Sequence, residues 1–421
     1  MATKKMTSKK AEKAEKAEKA AKVEKAVKAE KKAAAAPKKV KAVKAPKSAK
    51  PAPADQAYVP APEVAAILPD LIALRHDLHQ HPERGFETAG TRMRVAKWLS
   101  DHGVTAIENE TLESALFVTV EGNRPGPTIA LRADMDALPM TDASGTPYAS
   151  QTPGCAHTCG HDGHTTWLAG ALAALHAKND FPGRVLGIFQ PAEEIGTGAM
   201  AVVKAGALQK YGVREIYGMH AEPSVDAGKM GSRWAHAGRR RLLLRDHRRE
   251  GRARGAPADG GRPHPLRGGI DRGAPDGRDA PHRSDAAGRD FGLQLRGGLH
   301  AEMAKTVKAV AEAHGCVGSL RIEDFGNPVI NHPETTAFAR AAADELYGEG
   351  TGVDFPLTMG GEDFSEYQVV VPGTMIRFGV RDAKHQASLH HPKFDFNDRV
   401  LGGAATFLAE TVRKRLAMLA D

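Results

Sequence analysis

Residues 159–164 read Cys-Gly-His-Asp-Gly-His, and the Ala- and Leu-rich segment 164–176 that follows predicts a helix. Two strong metal ligands, Cys159 and His161, therefore stand one residue apart where that helix begins. Three later segments add imidazoles and carboxylates: Gln-Pro-Ala-Glu-Glu at 190–194, Gly-Met-His at 218–220 and Leu-His-His-Pro at 389–392. Ligands in this number fit two divalent ions rather than one. Hydrolytic two-metal sites need such a mixture, because the ligands hold the ions and a spare carboxylate moves protons.

Strands alternate with helices on both sides of this segment. Apolar runs separated by turn residues predict strands at 116–120, 128–131, 184–189 and 216–219. Reactive side chains follow three of them, since Asp134 comes after the second, Glu193 and Glu194 after the third and His220 after the fourth. Apolar residues at helical spacing predict helices at 64–78, 88–103, 199–208, 303–313, 335–347 and 400–419. We therefore expect an α/β fold with a mixed sheet covered by helices on both faces.

The composition excludes several classes of protein. With 421 residues, the chain has room for two domains and a large core. It contains no apolar run near 18 residues and no apolar signal-peptide segment, so neither a membrane span nor secretion is expected. Three cysteines, Cys155, Cys159 and Cys316, make no disulfide framework, and a cytoplasmic location is the natural expectation.

The positive net charge of +8 is concentrated in two segments. Residues 1–54 hold 18 Lys and 5 Glu, hence +13, and their Ala-, Glu-, Lys- and Pro-rich sequence has no apolar stripe to bury. We expect a disordered basic tail over 1–56, or an arm that contacts polyanions without sequence preference. The rest of the chain carries −5, as expected for an acidic enzyme body.

The second basic segment, 239–298, has an unusual composition. It contains 15 Arg, 8 acidic residues and no Lys, and it shows neither helical nor alternating periodicity. Such a composition results when a GC-rich gene is read in a wrong frame, which predicts two compensating frameshifts near residues 238 and 297. A divergent Arg-rich insertion is the alternative. On either interpretation, we expect this span to be irregular.

Taken in order, the motifs resemble the aminoacylase and carboxypeptidase-G-like superfamily of two-metal peptidases. The most similar branch is the amidohydrolases that include hippurate hydrolases and indole-acetyl-amino-acid hydrolases. The matching segments are 79–87, 131–139, 157–164, 190–194, 218–220, 360–364 and 388–398. The resemblance implies a catalytic domain in two parts, 57–234 and 329–421, with a smaller α+β satellite domain inserted at 235–328. In such proteins the satellite closes over the substrate and often carries a homodimer contact.

The resemblance also implies roles for individual residues. The metal ligands would be Cys159, His161, Glu194, His220 and His390, with His391 as the alternative to His390. Glu193 would be the general acid/base. Residues that orient the ligands would be Asp134, Asp136, His157 and Asp162. The family's satellite imidazole, which contacts the substrate, would correspond to His264, within a poorly matching Pro-His pair.

The function implied is metal-dependent hydrolysis of N-acyl amino acids, such as hippurate-like compounds. The cofactor would be two divalent ions, either Zn²⁺ or Mn²⁺, with Co²⁺ as a further option. Cys and His ligands suit Zn²⁺, whereas a carboxylate-rich remainder leaves Mn²⁺ or Co²⁺ open. No Gly-x-Ser-x-Gly segment supports a serine hydrolase. Two alternatives from other classes are an inactive metal-binding pseudoenzyme with a disrupted satellite, and a protein whose basic tail binds polyanions.

Overall fold

In the computed structural model, residues 59–232, 241–247, 301–314, 317–323, 326–356 and 360–421 are described. These residues all belong to one compact unit, Pro51–Asp421. The strands are β1 (Ile107–Glu108), β2 (Leu116–Glu121), β3 (Arg124–Asp134), β4 (Pro182–Gln190), β5 (Val213–Asp226), β6 (Met230–Ser232), β7 (Arg241–His247), β8 (Val317–Glu323), β9 (Gly352–Asp354) and β10 (Gly373–Arg381).

Eight of the strands form one mixed sheet. Its order is β1-β2-β4-β3-β5-β10-β6-β9. The four central strands, β4, β3, β5 and β10, run parallel. The pairs β1–β2, β2–β4 and β6–β10 are antiparallel, and β9 at the edge is parallel to β6. The carboxyl ends of the four central strands therefore meet at one edge, and this edge carries the site.

Helices cover both faces of the sheet. They are α1 (Pro62–Ala65), α2 (Leu68–Gln80), α3 (Ala89–Asp101), α4 (His161–Ala177), α5 (Gly198–Lys204), α6 (Ala207–Lys210), α7 (301–313), α8 (Pro333–Tyr347), α9 (Ser365–Gln368) and α10 (Leu401–Ala420). The larger apolar core joins one face of the sheet to α2, α4, α8 and α10. The smaller core joins the other face to α5, α6 and α9. The predicted α/β fold with helices on both faces is confirmed.

Two predicted helices are each divided in the structure. The segment 64–78 forms α1 and α2, because Pro69 lacks an amide hydrogen and its ring would clash with the carbonyl of Ala65 in a continuous helix. The segment 199–208 forms α5 and α6, which are separated by Gly206 at a φ of +76°. A residue with positive φ interrupts a right-handed helix, so the hydrophobic spacing alone overestimated both lengths.

The strand that carries His220 is longer than predicted. The sequence indicated a strand ending at Met219, but β5 runs from Val213 to Asp226. His220 therefore lies within the strand, in register with Arg377 of β10. The pairing of β5 with β10 continues as far as Glu222. The strand therefore includes His220 and Glu222, whose polar side chains gave no sign of a strand in the sequence.

Only part of the predicted satellite region is described. Within the span expected to be irregular, Arg241–His247 forms β7, which pairs antiparallel with β8 over seven residues. Three consecutive Leu residues and this pairing make a strand where the surrounding Arg-rich sequence gave no signal. Residues 248–298, with His264, lie outside the described residues, and the satellite domain and its dimer contact stay predictions. Within the described ranges, no helix has the length and apolar character needed to cross a membrane.

Candidate metal centre

The start of α4 brings the Cys-Gly-His segment to the sheet edge. His161 is the first residue of the helix, and Gly160 before it has a φ of +87°, a conformation that favours glycine. The turn at Gly160 lets Cys159 and His161 face the same buried space. Outside glycine, the described residues with positive φ are Ala192 and His390, both adjacent to or within predicted site segments. Backbone strain of this kind is concentrated at functional sites.

The sulfur of Cys159 lies between two imidazoles. Its Sγ atom is 3.5 Å from Nε2 of His220 and 3.3 Å from Nε2 of His390. The His390 nitrogen is also 3.5 Å from Oε2 of Glu194. Ligand atoms of Cys159, Glu194 and His390 all lie within 4.8 Å of one another. Cys159 thus has His220 on one side and the pair of Glu194 and His390 on the other.

The fifth predicted ligand, His161, presents a nitrogen to the same space. Its Nδ1 donates a hydrogen bond of 2.7 Å to the backbone oxygen of Asp136, which leaves Nε2 with a lone pair. This buried Nε2 has no hydrogen-bond partner in the described part of the chain, and it lies 3.7 Å from Oε1 of Glu194 and 4.0 Å from Oε2 of Glu193. Oε1 of Glu194 is likewise buried without a partner there.

These unpartnered atoms fit divalent cations. A buried polar atom without a partner costs about 1–3 kcal/mol, so two such atoms facing each other indicate a missing ligand. Thiolate, imidazole and carboxylate donors match the preferences of Zn²⁺ and of related divalent metals. The sequence-predicted ligand set therefore fits two ions on chemical grounds.

Asp136 holds the ligand loop in place. Its carboxylate accepts hydrogen bonds from the backbone amides of Glu193, at 2.8 Å, and Glu194, at 3.2 Å, while its carbonyl orients His161. One residue therefore fixes both the carboxylate pair and the imidazole. Asp136 therefore contacts three residues of the predicted site, and its supporting role stays a prediction.

A buried network beneath the site was missed by the sequence analysis. Asp134 accepts a hydrogen bond of 2.6 Å from Arg132 Nη1 and pairs at 2.6 Å with Nδ1 of His164. His164 in turn accepts a hydrogen bond from the backbone amide of Ala221, next to His220. The helical pattern at 164–176 predicts only a packing role for His164, but its ring links Asp134 to β5. The signal available was the charged pair Arg132 and Asp134 at the end of an apolar strand.

Arg132 extends this network to the Gly-Gly-Glu-Asp loop. Its Nη2 atom contacts Asp363 at 2.9 Å and Glu362 at 3.3 Å, and Nε donates to Gln190. Asp363 also accepts hydrogen bonds from Gln190 and from the amide of Ala199. The sequence alone gave Glu362 and Asp363 no role. Here, Asp363 ties the loop to β3 and β4.

The predicted general acid/base, Glu193, lies in acidic surroundings. Burial raises its pKa well above the ordinary value, and the nearby carboxylates of Glu362 and Glu194 add to the effect. Ligand atoms of Glu193, Glu362 and Asp363 lie within 4.8 Å of one another. A raised pKa suits a group that takes up and releases a proton near neutral pH.

The pKa values of the ligands depend on whether cations are bound. In the protein alone, burial raises the pKa of the Cys159 thiol, and it raises the pKa of Glu194 to about 7. Burial disfavours a charged His161, but Asp134 and Cys159 outweigh this effect and raise its pKa. Bound cations would reverse the direction of these pKa shifts, since their positive charge favours the thiolate, the carboxylate and the neutral imidazole. Metal binding should therefore release protons.

Two further residues predicted to orient ligands, Asp162 and His157, differ in their hydrogen bonding. Asp162 accepts hydrogen bonds from Arg75 at 3.0 Å and from His79 at 2.7 Å, and these bonds anchor the first turn of α4. His157 is buried, yet neither ring nitrogen has a hydrogen-bond partner among the described residues. The predicted supporting contact from His157 to a ligand is not seen there.

Several known proteins are similar to this chain, two of them in sequence and one in its solved structure. An N-acetylcysteine deacetylase of Bacillus subtilis (strain 168) is 29% identical over 371 residues, which cover 81% of this chain and 95% of the relative. An N-acetyl-L-cysteine deacetylase of the same strain is 29% identical over 379 residues, covering 82% of this chain and 88% of the relative. A solved structure of a dinuclear metal-binding M20 peptidase from Bacillus subtilis matches with a TM-score of 0.63 and 25% identity, over 84% of this chain and 99% of that one.

The family assignment rests on a match to a sequence profile. The sequence profile described as peptidase family M20/M25/M40 matches residues 130–414, which include every predicted metal ligand. The resemblance inferred from the motifs is confirmed. The chain therefore belongs to peptidase family M20/M25/M40.

Proposed function

We propose that this protein hydrolyses the amide bond of N-acyl amino acids, with two divalent ions held by five side chains. The proposed ligands are Cys159, His161, Glu194, His220 and His390. The observation that carries the proposal is the position of the Cys159 sulfur, within 3.5 Å of two imidazole nitrogens that belong to distant parts of the chain. A sulfur so placed, with these imidazoles beside it, would serve as a metal ligand. Zn²⁺ is the metal that this Cys- and His-containing set suits best, and Mn²⁺ or Co²⁺ would also bind.

Two bound ions would polarise the scissile carbonyl and lower the pKa of the attacking water. The chain itself would supply the proton transfer. Glu193 is 5% exposed and lies beside the ligand Glu194, where its carboxylate can take a proton from water and later give it to the leaving amine. Asp136 holds the Glu193 amide and thereby sets the position of this carboxylate.

The substrate class follows from the relatives and from the motif resemblance. Both deacetylases named above act on N-acetylated cysteine by their names, and N-acetylcysteine is an N-acyl amino acid. Hippurate is an aromatic member of the same class. We therefore propose N-acyl amino acids with a free carboxylate as substrates, without a commitment to one acyl group.

Replacement of the proposed acid/base tests this function. Glu193→Gln should keep the metal content but lower kcat for an N-acyl amino acid about 100-fold or more, because the amide group cannot transfer the proton. Metal content, measured by elemental analysis, and hydrolysis of hippurate and N-acetylcysteine are the readouts.

The matched control is Glu121→Gln, a surface glutamate that pairs with Arg184 far from the ligands. It should leave both quantities unchanged. Wild-type protein that binds two ions but hydrolyses none of these amides would support the inactive metal-binding alternative. Full activity in Glu193→Gln would remove Glu193 from the mechanism.

A further inference from the structure

Arg377 is a buried cation without a protein partner in the described structure. It lies in the middle of β10 and is 7% exposed. Its Nε atom has no hydrogen-bond partner, and within the described ranges its guanidinium makes no ion pair. Burying a charge without a compensating partner costs several kcal/mol. A site of this kind indicates an anion that the protein receives from outside.

The sheet register places Arg377 beside the metal centre. Arg377 pairs with His220 of β5 in the parallel register, so the two side chains leave the same face of the sheet about 4.8 Å apart. On its other side, Arg377 pairs with Gly231 of β6, which has no side chain on that face. A Cβ atom at Gly231 would come within 2.8 Å of Phe355. In the sheet, Arg377 thus lies between His220, a proposed metal ligand, and Gly231, beside which Phe355 packs.

Nearby acidic groups already have partners. Glu362 and Asp363 contact Arg132, and Asp354 pairs with Arg340 at 2.6 Å. Two neighbouring segments, 233–240 and 357–359, contain no acidic residue in their sequence. Glu222, on the same face of β5 two residues beyond His220, accepts a hydrogen bond from Ser224 instead. Within the described residues and these two segments, no carboxylate therefore forms an ion pair with Arg377.

We propose that Arg377 binds the free carboxylate of the N-acyl amino acid. This inference rests on the proposed function, since it names the group that recognises one end of that substrate. Only the amide nitrogen and one carbon separate the scissile carbonyl from the carboxylate, so the two groups need binding sites close together, as His220 and Arg377 are on neighbouring strands. An arginine also matches a carboxylate in a bidentate geometry. Arg377 selects substrates with a free carboxylate over neutral amides.

The test compares a carboxylate substrate with its neutral analogue. Arg377→Met should lower kcat/KM for hippurate about 30-fold or more, mainly through KM, because a buried charge contact is lost. The same variant should change kcat/KM for hippuramide less than about threefold, and Arg377→Lys should restore part of the loss on hippurate. The matched control is Arg381→Met on the same strand, whose side chain is 43% exposed and pairs with Asp226. It should leave both substrates unaffected.

The same variants separate this inference from the proposed function. If wild-type protein hydrolyses neither compound, the proposed function fails, and calorimetric binding of hippurate and hippuramide to the metal-loaded protein still tests Arg377. Equal losses on both compounds, or none, would overturn the inference. The melting temperature without ligand should stay the same or rise in Arg377→Met, since an unpaired buried charge is removed. A large fall would show that Arg377 is a structural partner of another protein group, which also overturns the inference.

Discussion

Two regions of the site differ in how their buried polar atoms are satisfied. In the closed region, Arg132, Asp134, His164, Gln190 and Asp363 pair with one another. In the open region, Nε2 of His161, Oε1 of Glu194 and Nε of Arg377 have no hydrogen-bond partner within the described chain. Both regions are buried, so burial does not distinguish them. The difference indicates that the closed region supports the fold, whereas the open region receives ions and substrate.

The largest expected effect is in the open region. Cys159→Ala removes the sulfur that lies between His220 and His390, and it should lower hydrolysis about 1,000-fold, because metal ions contribute several kcal/mol to transition-state stabilisation. Metal content should fall in parallel, as measured by elemental analysis after dialysis. Cys155→Ala is the matched control, since Cys155 is also buried but its sulfur faces the backbone oxygen of Pro82. Equal behaviour of the two variants would contradict the ligand assignment.

A loss of stability is expected in the closed region. Arg132→Met leaves Asp134 and Asp363 without their cation, and breaking a buried ion pair in this way costs about 3–5 kcal/mol. Urea unfolding should detect this decrease in the free energy of unfolding. Arg381→Met, at an exposed pair, should cost less than about 1 kcal/mol. A stable Arg132→Met protein would remove the proposed distinction between the two regions.

The ion pair between His79 and Asp162, in the first turn of α4, should make the stability of the protein depend on pH. Burial disfavours its charged form, but Asp162 and Asp142 outweigh this effect and raise its pKa from 6.5 to about 9. A raised pKa means that the protonated ring stabilises the fold fully below about pH 6.5 and that this contribution is lost as the pH rises through about 9. The loss is on the order of 3 kcal/mol. Thermal unfolding from pH 6 to 10 should show it in the wild type and not in His79→Gln.

The smallest effect is expected from the basic tail. Removing residues 2–54 takes away 18 Lys and 5 Glu but no apolar stripe, so the free energy of unfolding and kcat should change little, by less than about 0.5 kcal/mol in stability. Any binding to DNA should be lost with the tail and should weaken steeply with salt. A large fall in melting temperature after truncation would show that the tail packs on the body.

Sequence patterns predicted the open region better than the closed one. Cys159, His161, Glu193 and Glu194 stand in short segments whose chemistry is visible in the residues themselves. His390 is 231 residues from Cys159, and only the motif resemblance joined them before the structure placed their atoms 3.3 Å apart. Arg132 offered only its position near Asp134 at the end of an apolar strand, and His164 offered no signal, because their other partners come from distant strands and loops. Arg377 was missed for the same reason, since its environment depends on the register of β10 with β5 and β6.

The central claim is that the open region holds two divalent ions, and metal stoichiometry tests it most directly. Protein purified without chelator, reconstituted with Zn²⁺ or Mn²⁺ and dialysed, should contain close to two equivalents per chain by elemental analysis, with circular dichroism showing that it is folded. Proton release on metal addition should accompany binding, because the thiol of Cys159 must ionise. A folded protein that retains close to zero equivalents would contradict the account.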